Sequence, residues 1–492
     1  MAAVTTGVGL SLDTLRRLPA EARPAVRPDD LTPGILHLGL GAFHRAHQAV
    51  YTEEAIAAAG GDWGIVAVAP RSREVVDRLA AQDGLYSVVT LSADGAAPRV
   101  IGSLAELRRA ADDPQAIVDR IADPAIRVLT LTVTETAYRI DPAGRLLLDE
   151  RLRAELTGSA PPASIPALLT RGLLARAAAG AGPISVVCCD NLHANGARLR
   201  GVVEQALAVA GGDLGPGVSF PSTMVDRIVP ATTEQTRQLA EAGLGVVDLV
   251  PVAGEPFRQW VIEDCFPGGR PAWDLAGAVL TSDVAPWEAL KLRVLNAVHS
   301  ALAYLGALAG QQTVAEAMAL PGAHQVLSRF IAEDVAPTLV APDGQCPIRY
   351  GQAALERFTN PAIGHRTIQI AMDGSQKLPY RLLGTIADAR AAGGRARWAA
   401  LVLAAWMRFV RGVADDGSAL PLDDPLAERL RASLVGAADT PVGLADALFG
   451  VEEIFGPELV GDAPLRTQVV EWLTDLDRYG AAATIRSLGG TL

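Results

Sequence analysis

The sequence predicts an α/β protein: a mainly parallel sheet covered by helices, followed by a mainly helical region. Three observations carry this expectation. Short apolar, β-branched runs alternate with helical stretches through the first half of the chain. After about residue 287 only helical patterns continue. The 48 glycines and 32 prolines serve as turn formers between regular elements, without low-complexity tracts.

Residues 1–30 carry Pro19, Pro24 and Pro28 and no periodic pattern. They are expected to form an irregular surface arm. Residues 34–41 read as a first strand that ends in glycines. A helix is expected from about 44 to 59, stopped by Gly60 and Gly61. Residues 65–69 are the second strand. Residues 86–91 and 99–101 read as an added hairpin. Segments 115–121 and 165–179 are helical. The third and fourth strands are 128–134 and 184–189, both rich in β-branched residues. A domain boundary is placed near Pro286. Beyond it, 288–309, 311–319, 323–335, 351–358, 396–413 and 425–435 read as amphipathic helices. The expected domains are therefore 31–286 for the sheet and 287–492 for the helices.

The balance of 43 basic and 55 acidic residues gives a net charge of -12. Such a chain lacks the basic face that a nucleic-acid partner needs. Its 50% hydrophobic content excludes a disordered protein. No apolar run approaches the length of a membrane span. The start of the chain has no basic region followed by an apolar stretch and a cleavage site, so a cytoplasmic location is expected. The four cysteines, with no CxxC spacing, are expected to be free thiols. No metal is expected, because no HExxH string and no His/Cys ligand spacing occurs.

Several residues have the chemistry of a site. Gly39-x-Gly41 closes a strand and opens a helix. Glycines there let the backbone approach a pyrophosphate at a helix N-terminus. The third glycine of the usual fingerprint is replaced by His44, followed by Arg45, so a plain strand–turn–helix fits as well. Arg73 and Glu74 follow the second strand. An acid there would hold a ribose 2′-hydroxyl and favour NAD, whereas Arg73 would meet the 2′-phosphate of NADP. Both also fit as solvated loop charges. Glu135 ends the third strand and Asn191 follows the fourth, at the strand edge where ligands gather in open parallel sheets. Asp226 adjoins Arg227, either as an internal ion pair or as a polar site. Lys291, Asn296 and His299 share one side of a predicted helix, at about 140° and 80° from the lysine. A lysine desolvated among apolar neighbours suits a general base near neutral pH, while a snorkelling surface lysine fits the same pattern. Lys377 lies in a turn-rich stretch.

The string HLGLGAFHRAHQ at 37–48 resembles the signature of the mannitol dehydrogenase family, the polyol-specific long-chain dehydrogenases. Further matches are LTVTE (131–135), CDN (189–191), MVDRIVP (224–230), EPFRQWVIED (255–264), the spacing Lys291…Asn296…His299, and a weaker VEEIFG (451–456). The resemblance implies a Rossmann-type N-terminal domain, a largely helical C-terminal domain and a metal-independent oxidoreductase using NAD, with NADP possible. It implies that Lys291 is the general acid/base and that Asn296 and His299 hold the reacting oxygen. Glu135 and Glu288 would lie on the proton route. Asn191, Asp226, Lys377 and Arg381 would bind substrate. Gly39, Gly41, Phe43, His44, Arg45, Arg73 and Glu74 would border the cofactor.

The stretch 365–381 looks most like the fructuronate reductase branch, which interconverts D-fructuronate and D-mannonate. Gln369 stands where some mannitol enzymes place an arginine, and Arg366 and Arg381 offer cations for a carboxylate. The other readings are a mannitol 2-dehydrogenase, an arabinitol dehydrogenase, and a non-catalytic nicotinamide-binding sensor. The expected partner is a small sugar acid or polyol, and the expected assembly a monomer or small homo-oligomer.

Overall fold

The computed structural model describes residues 7–141 and 143–490. Residues 1–6, part of the start read as lacking an export signal, lie outside the described residues. The chain divides into two compact units at the Val284–Ala285 bond.

Among the described residues the first unit contains twelve strands: β1 (Pro33–Leu38), β2 (Gly64–Ala69), β3 (Tyr86–Ser92), β4 (Gly95–Ile101), β5 (Leu104–Arg109), β6 (Val128–Leu131), β7 (Ile184–Cys188), β8 (Val218–Ser219), β9 (Thr223–Asp226), β10 (Val252–Gly254), β11 (Gln259–Glu263) and β12 (Val279–Thr281). Six form one sheet in the order β5-β2-β1-β6-β7-β8, with every pair parallel. This is the doubly wound order of dinucleotide-binding sheets. Both faces are covered, which explains strands that are mostly apolar, with His37, Thr130 and Ser185 as buried polar exceptions. Alternate residues serve opposite cores. Ile35, Ile65, Ala67, Val128 and Val187 join one cluster with Trp260 and Trp273. Leu36, Leu38, Val66, Val68, Leu129 and Val186 join the other with Ile117, Ile121, Leu168 and Leu199.

The expected hairpin is present as β3 and β4, and β10 adds to it in parallel. Strand β5 was not expected. It is a sheet edge, and Glu106, Arg108 and Arg109 interrupt its apolar pattern. The third strand stops at Leu131, three residues before its expected end. The helix expected over 44–59 is two helices, Ala42–Ala46 and Gln48–Ala59, broken at His47.

The N-terminal segment is not a surface arm. Leu10, Leu15, Leu18 and Ala22 are buried with Leu85, Val100, Leu244 and Val246. The amide of Leu10 donates to the Val247 carbonyl at 2.9 Å. Ala25 donates its amide to the buried Glu53 carboxylate, which also accepts from Gly102. Prolines prevent a periodic signal here, but isolated leucines still anchor short 3₁₀ helices.

The second unit is helical, and among its described residues only isolated bridges interrupt that pattern. Ala297–Leu308 is buried along its whole length. The helix expected over 288–309 begins at Ala285 and contains a π-helical turn, Lys291–Asn296. Two more π-turns, Phe330–Val335 and Pro379–Leu383, both contact that first one.

Candidate active site

In the first unit, β1 runs into Gly39, whose φ of 111° is open to glycine alone. A Cβ at Gly39 would stand 2.1 Å from the Thr132 carbonyl oxygen. The turn is fixed by the amides of Gly39 and Leu40, both donating to the Val68 carbonyl. Gly41 then caps the helix Ala42–Ala46. A Cβ at Gly41 would meet only the Gly39 carbonyl, at 3.7 Å. The loop therefore has the two properties a pyrophosphate needs, a tight turn and open space before helix amides.

The His37 ring lies 3.0 Å from the Gly39 carbonyl and 2.8 Å from Thr130 Oγ1. His44 stacks on it at 3.4 Å. Burial holds His37 down to about 3, and it keeps His44 well below the usual imidazole range. Both rings are neutral. The two nitrogens of His44 are buried without a hydrogen-bond partner. Phe43 stacks on His47 at 5.0 Å. Arg45 is not available to a phosphate as the sequence suggested: it is buried, and its Nη1 donates to the Val250 carbonyl at 2.6 Å.

Beyond β2, Ser72 caps the helix Arg73–Ala80. Glu74 does not face a ribose position alone, because its carboxylate pairs with Arg78 at 2.6 Å, one turn along the same helix. Arg73 pairs with Asp112 at 2.9 Å. Arg109 binds the same carboxylate oxygen.

At the carboxyl edge of the sheet, Glu135 opens a short turn, Glu135–Tyr138. Thr134 before it has φ 77° and ψ 153°, a strained conformation for a β-branched residue. Asp190 holds that strain. It accepts from the amides of Val133 and Thr134 at 3.0 and 3.1 Å and from the Tyr138 hydroxyl at 2.5 Å. Its burial raises its own pKa. Asp190 thereby ties the Glu135 turn to the loop that carries Asn191. Asn195 fastens this loop to β9, donating to the Thr223 carbonyl at 2.9 Å and accepting from the Thr223 amide at 2.9 Å. Strand β9 ends at Asp226, which is buried. Arg227 directs Nε and Nη2 to the Glu255 carbonyl at 3.0 and 2.9 Å. Asn195 was missed in the sequence; Asp190 was noticed there only as part of the CDN string after the fourth strand, not as the brace of the Glu135 turn.

In the second unit, Lys291, Asn296 and His299 are all buried on one continuous helix. Glu288 lies one turn before the lysine. A π-turn bonds i to i+5, so Lys291 and Asn296 stand one turn apart, more nearly aligned than α-helical spacing allows. His299 is driven well below the usual imidazole range, first by burial and then by His365, Arg381, Arg357 and Lys377. Its ring stacks on Phe358 at 4.6 Å and meets His365 edge-on at 4.9 Å. Its Nε2 is buried without a hydrogen-bond partner. Arg381, in the π-turn Pro379–Leu383, donates to Ser300 Oγ at 3.0 Å, beside His299. Lys377 donates to the Met372 carbonyl at 2.5 Å and pairs with Asp373 at 3.6 Å. Arg366 and Gln369 are exposed. The unit thus gathers a neutral histidine, a lysine, an asparagine and several cations.

Among the described residues no three His, Cys, Asp or Glu side chains are placed to hold a metal ion. No helix among them is long and apolar enough to cross a membrane.

Comparison with known proteins agrees over most of the chain. Residues 33–275 match the mannitol dehydrogenase Rossmann domain and 283–477 the mannitol dehydrogenase C-terminal domain. The chain is 38% identical to D-mannonate oxidoreductase of Escherichia coli (strain K12), over 95% of this chain and 98% of that one. It is 37% identical to mannitol 2-dehydrogenase of Cereibacter sphaeroides, over 94% and 98%. The structure of Pseudomonas fluorescens mannitol 2-dehydrogenase, a ternary complex with NAD and D-mannitol, superposes with a TM-score of 0.85 at 35% identity and covers 98% and 99% of the two chains. The chain belongs to the mannitol dehydrogenase family and is an oxidoreductase acting on the CH–OH group of a polyol or sugar acid.

Proposed function

We propose that this enzyme interconverts D-fructuronate and D-mannonate with NAD as the cofactor. The observation that carries the acid-sugar reading is the set of cations Arg357, Lys377 and Arg381 around the buried His299. A sugar carboxylate taken out of water needs such partners, and a neutral polyol does not. NAD fits the glycine loop, where Gly41 leaves room before the helix amides. When bound, it supplies or accepts the hydride.

The remaining roles belong to the chain. Lys291 takes the hydroxyl proton in oxidation and returns it in reduction. Asn296 and the neutral His299 hold the reacting oxygen; a buried Nε2 without a protein partner is suited to that task. Glu135 and Glu288 carry the proton onward. Asn191, Asp226, Lys377 and Arg381 orient the sugar. A mannitol 2-dehydrogenase is the second reading, favoured by the D-mannitol complex of the similar structure. The test is kcat/KM for mannonate against mannitol oxidation. A higher value for mannonate is expected. A higher value for mannitol replaces the acid-sugar reading with the polyol one.

A further inference from the structure

The basic residues at the ribose end of the sheet pose a question that Glu74 does not answer. Strands β2 and β5 are neighbours, and Ala69 pairs with Arg109 at their shared carboxyl edge. Arg71 and Arg73 follow β2, and Asp112 follows β5. In a sheet of this order the adenosine ribose lies beyond the end of the second strand. The guanidinium groups of Arg73 and Arg109 therefore lie at the strand edge where a 2′-substituent would stand. Glu74, the acid expected to repel a phosphate there, is already paired with Arg78.

One carboxylate oxygen holds the cluster together. Asp112 Oδ1 pairs with Arg73 Nη2 at 2.9 Å and with Arg109 Nη2. Arg109 also donates Nη1 to the Arg71 carbonyl at 3.1 Å, which fixes its guanidinium against the β2 loop. Its Nε is buried without a hydrogen-bond partner. Asp77 adds a more distant negative charge to Arg109. The Asp112 side chain is 47% exposed and Arg73 62% exposed, so ligand and solvent can reach the pairs.

We propose that Arg73 and Arg109 form a latent 2′-phosphate site and that Asp112 occupies it as an internal counter-ion, making the enzyme select NAD over NADP. This rests on the reading of the glycine loop as an NAD site. Asp112, not Glu74, is then the specificity-determining acid. It occupies the guanidinium donors that a 2′-phosphate would need, and it adds its own charge against that dianion.

The experiment is calorimetric binding of 5′-AMP and of 2′,5′-ADP to the full-length wild type and to Asp112→Asn, with kcat/KM for NAD and NADP alongside. The expected result is an unchanged affinity for 5′-AMP and a rise for 2′,5′-ADP of roughly 10- to 150-fold, the range of one charge-assisted hydrogen bond. Adding Arg73→Ala or Arg109→Ala to the variant should remove that gain. The proposal is overturned if Asp112→Asn binds 2′,5′-ADP no better, if the gain survives loss of both arginines, or if the wild type already prefers NADP. A wild type that binds neither NADH nor 5′-AMP refutes the NAD site itself, a different outcome from a failed Asp112 exchange in an enzyme that binds 5′-AMP.

Discussion

Replacing Gly41 by alanine separates a ligand's demand on the glycine loop from the fold's demand. Gly41 has φ -91° and ψ -179°, which alanine adopts without strain. The added methyl would meet one protein atom, at an ordinary 3.7 Å. Stability should therefore stay level or rise by about 0.4–1 kcal/mol, as for glycine-to-alanine exchanges at permitted conformations. The methyl would, however, project from the residue that caps the helix Ala42–Ala46 into space that the protein leaves open. If a pyrophosphate binds there, at least one charge-assisted hydrogen bond is lost, about 1.5–3 kcal/mol, or roughly 10- to 150-fold in affinity. Gly39→Ala is the control. There the Cβ falls 2.1 Å from the Thr132 carbonyl oxygen, more than an ångström inside ordinary contact, at a φ of 111°. That variant should lose stability and cofactor together. The assays are NADH fluorescence titration and thermal unfolding of each variant. Normal NADH affinity in Gly41→Ala, with normal stability, would refute the assignment of this loop to the pyrophosphate.

Lys291→Ala should lower turnover by about 10²–10⁴-fold, the usual loss of a general base, while NADH binding is retained; near-normal turnover sinks the assignment. Arg381→Gln should raise KM for fructuronate far more than for fructose, by roughly 10- to 150-fold if a charge-assisted pair is lost. Equal effects on both substrates would show that Arg381 only supports Ser300. Glu53 is buried, and its pKa is pushed up from 4.5 to about 7 by loss of water. A raised acid favours the folded state below its unfolded pKa and loses that contribution as pH rises through the folded value. Between pH 4.5 and 8 the wild type should therefore lose about 3 kcal/mol relative to Glu53→Gln. Urea unfolding of both proteins across that range checks it, and parallel pH profiles would count against it.

The sheet was legible where strands are buried on both faces. Residues 65–69 are apolar at every position and 184–189 at all but Ser185, and they return as β2 and β7. Strand β5 was illegible because a sheet edge tolerates Glu106 and Arg108. The arm was misread because its leucines follow no period. In the site, Gly39 and the grouping of Lys291, Asn296 and His299 could be read from residue type and spacing. The inward turn of Arg45 could not, since nothing local to it announces the Val250 carbonyl. The bracing role of Asp190 was equally hidden: its partners, Val133, Thr134 and Tyr138, lie more than 50 residues earlier in the chain.

The π-turn at Lys291–Asn296 makes the direction of these side chains a matter of counting. A π-turn is an α-helix with one residue more than its hydrogen-bond ladder needs. The surplus residue rotates everything on one side of it relative to the other, whatever its own side chain is. The same holds at Phe330–Val335 and Pro379–Leu383, which contact it. Part of the information that sets the direction of Lys291 is therefore written in the number of residues between Ala285 and Leu308, not in their identity. Substitution scanning reads identities one at a time and passes over such information. Changes in length are the edits to which this part of the enzyme is most exposed, even where every chemically active group is left in place.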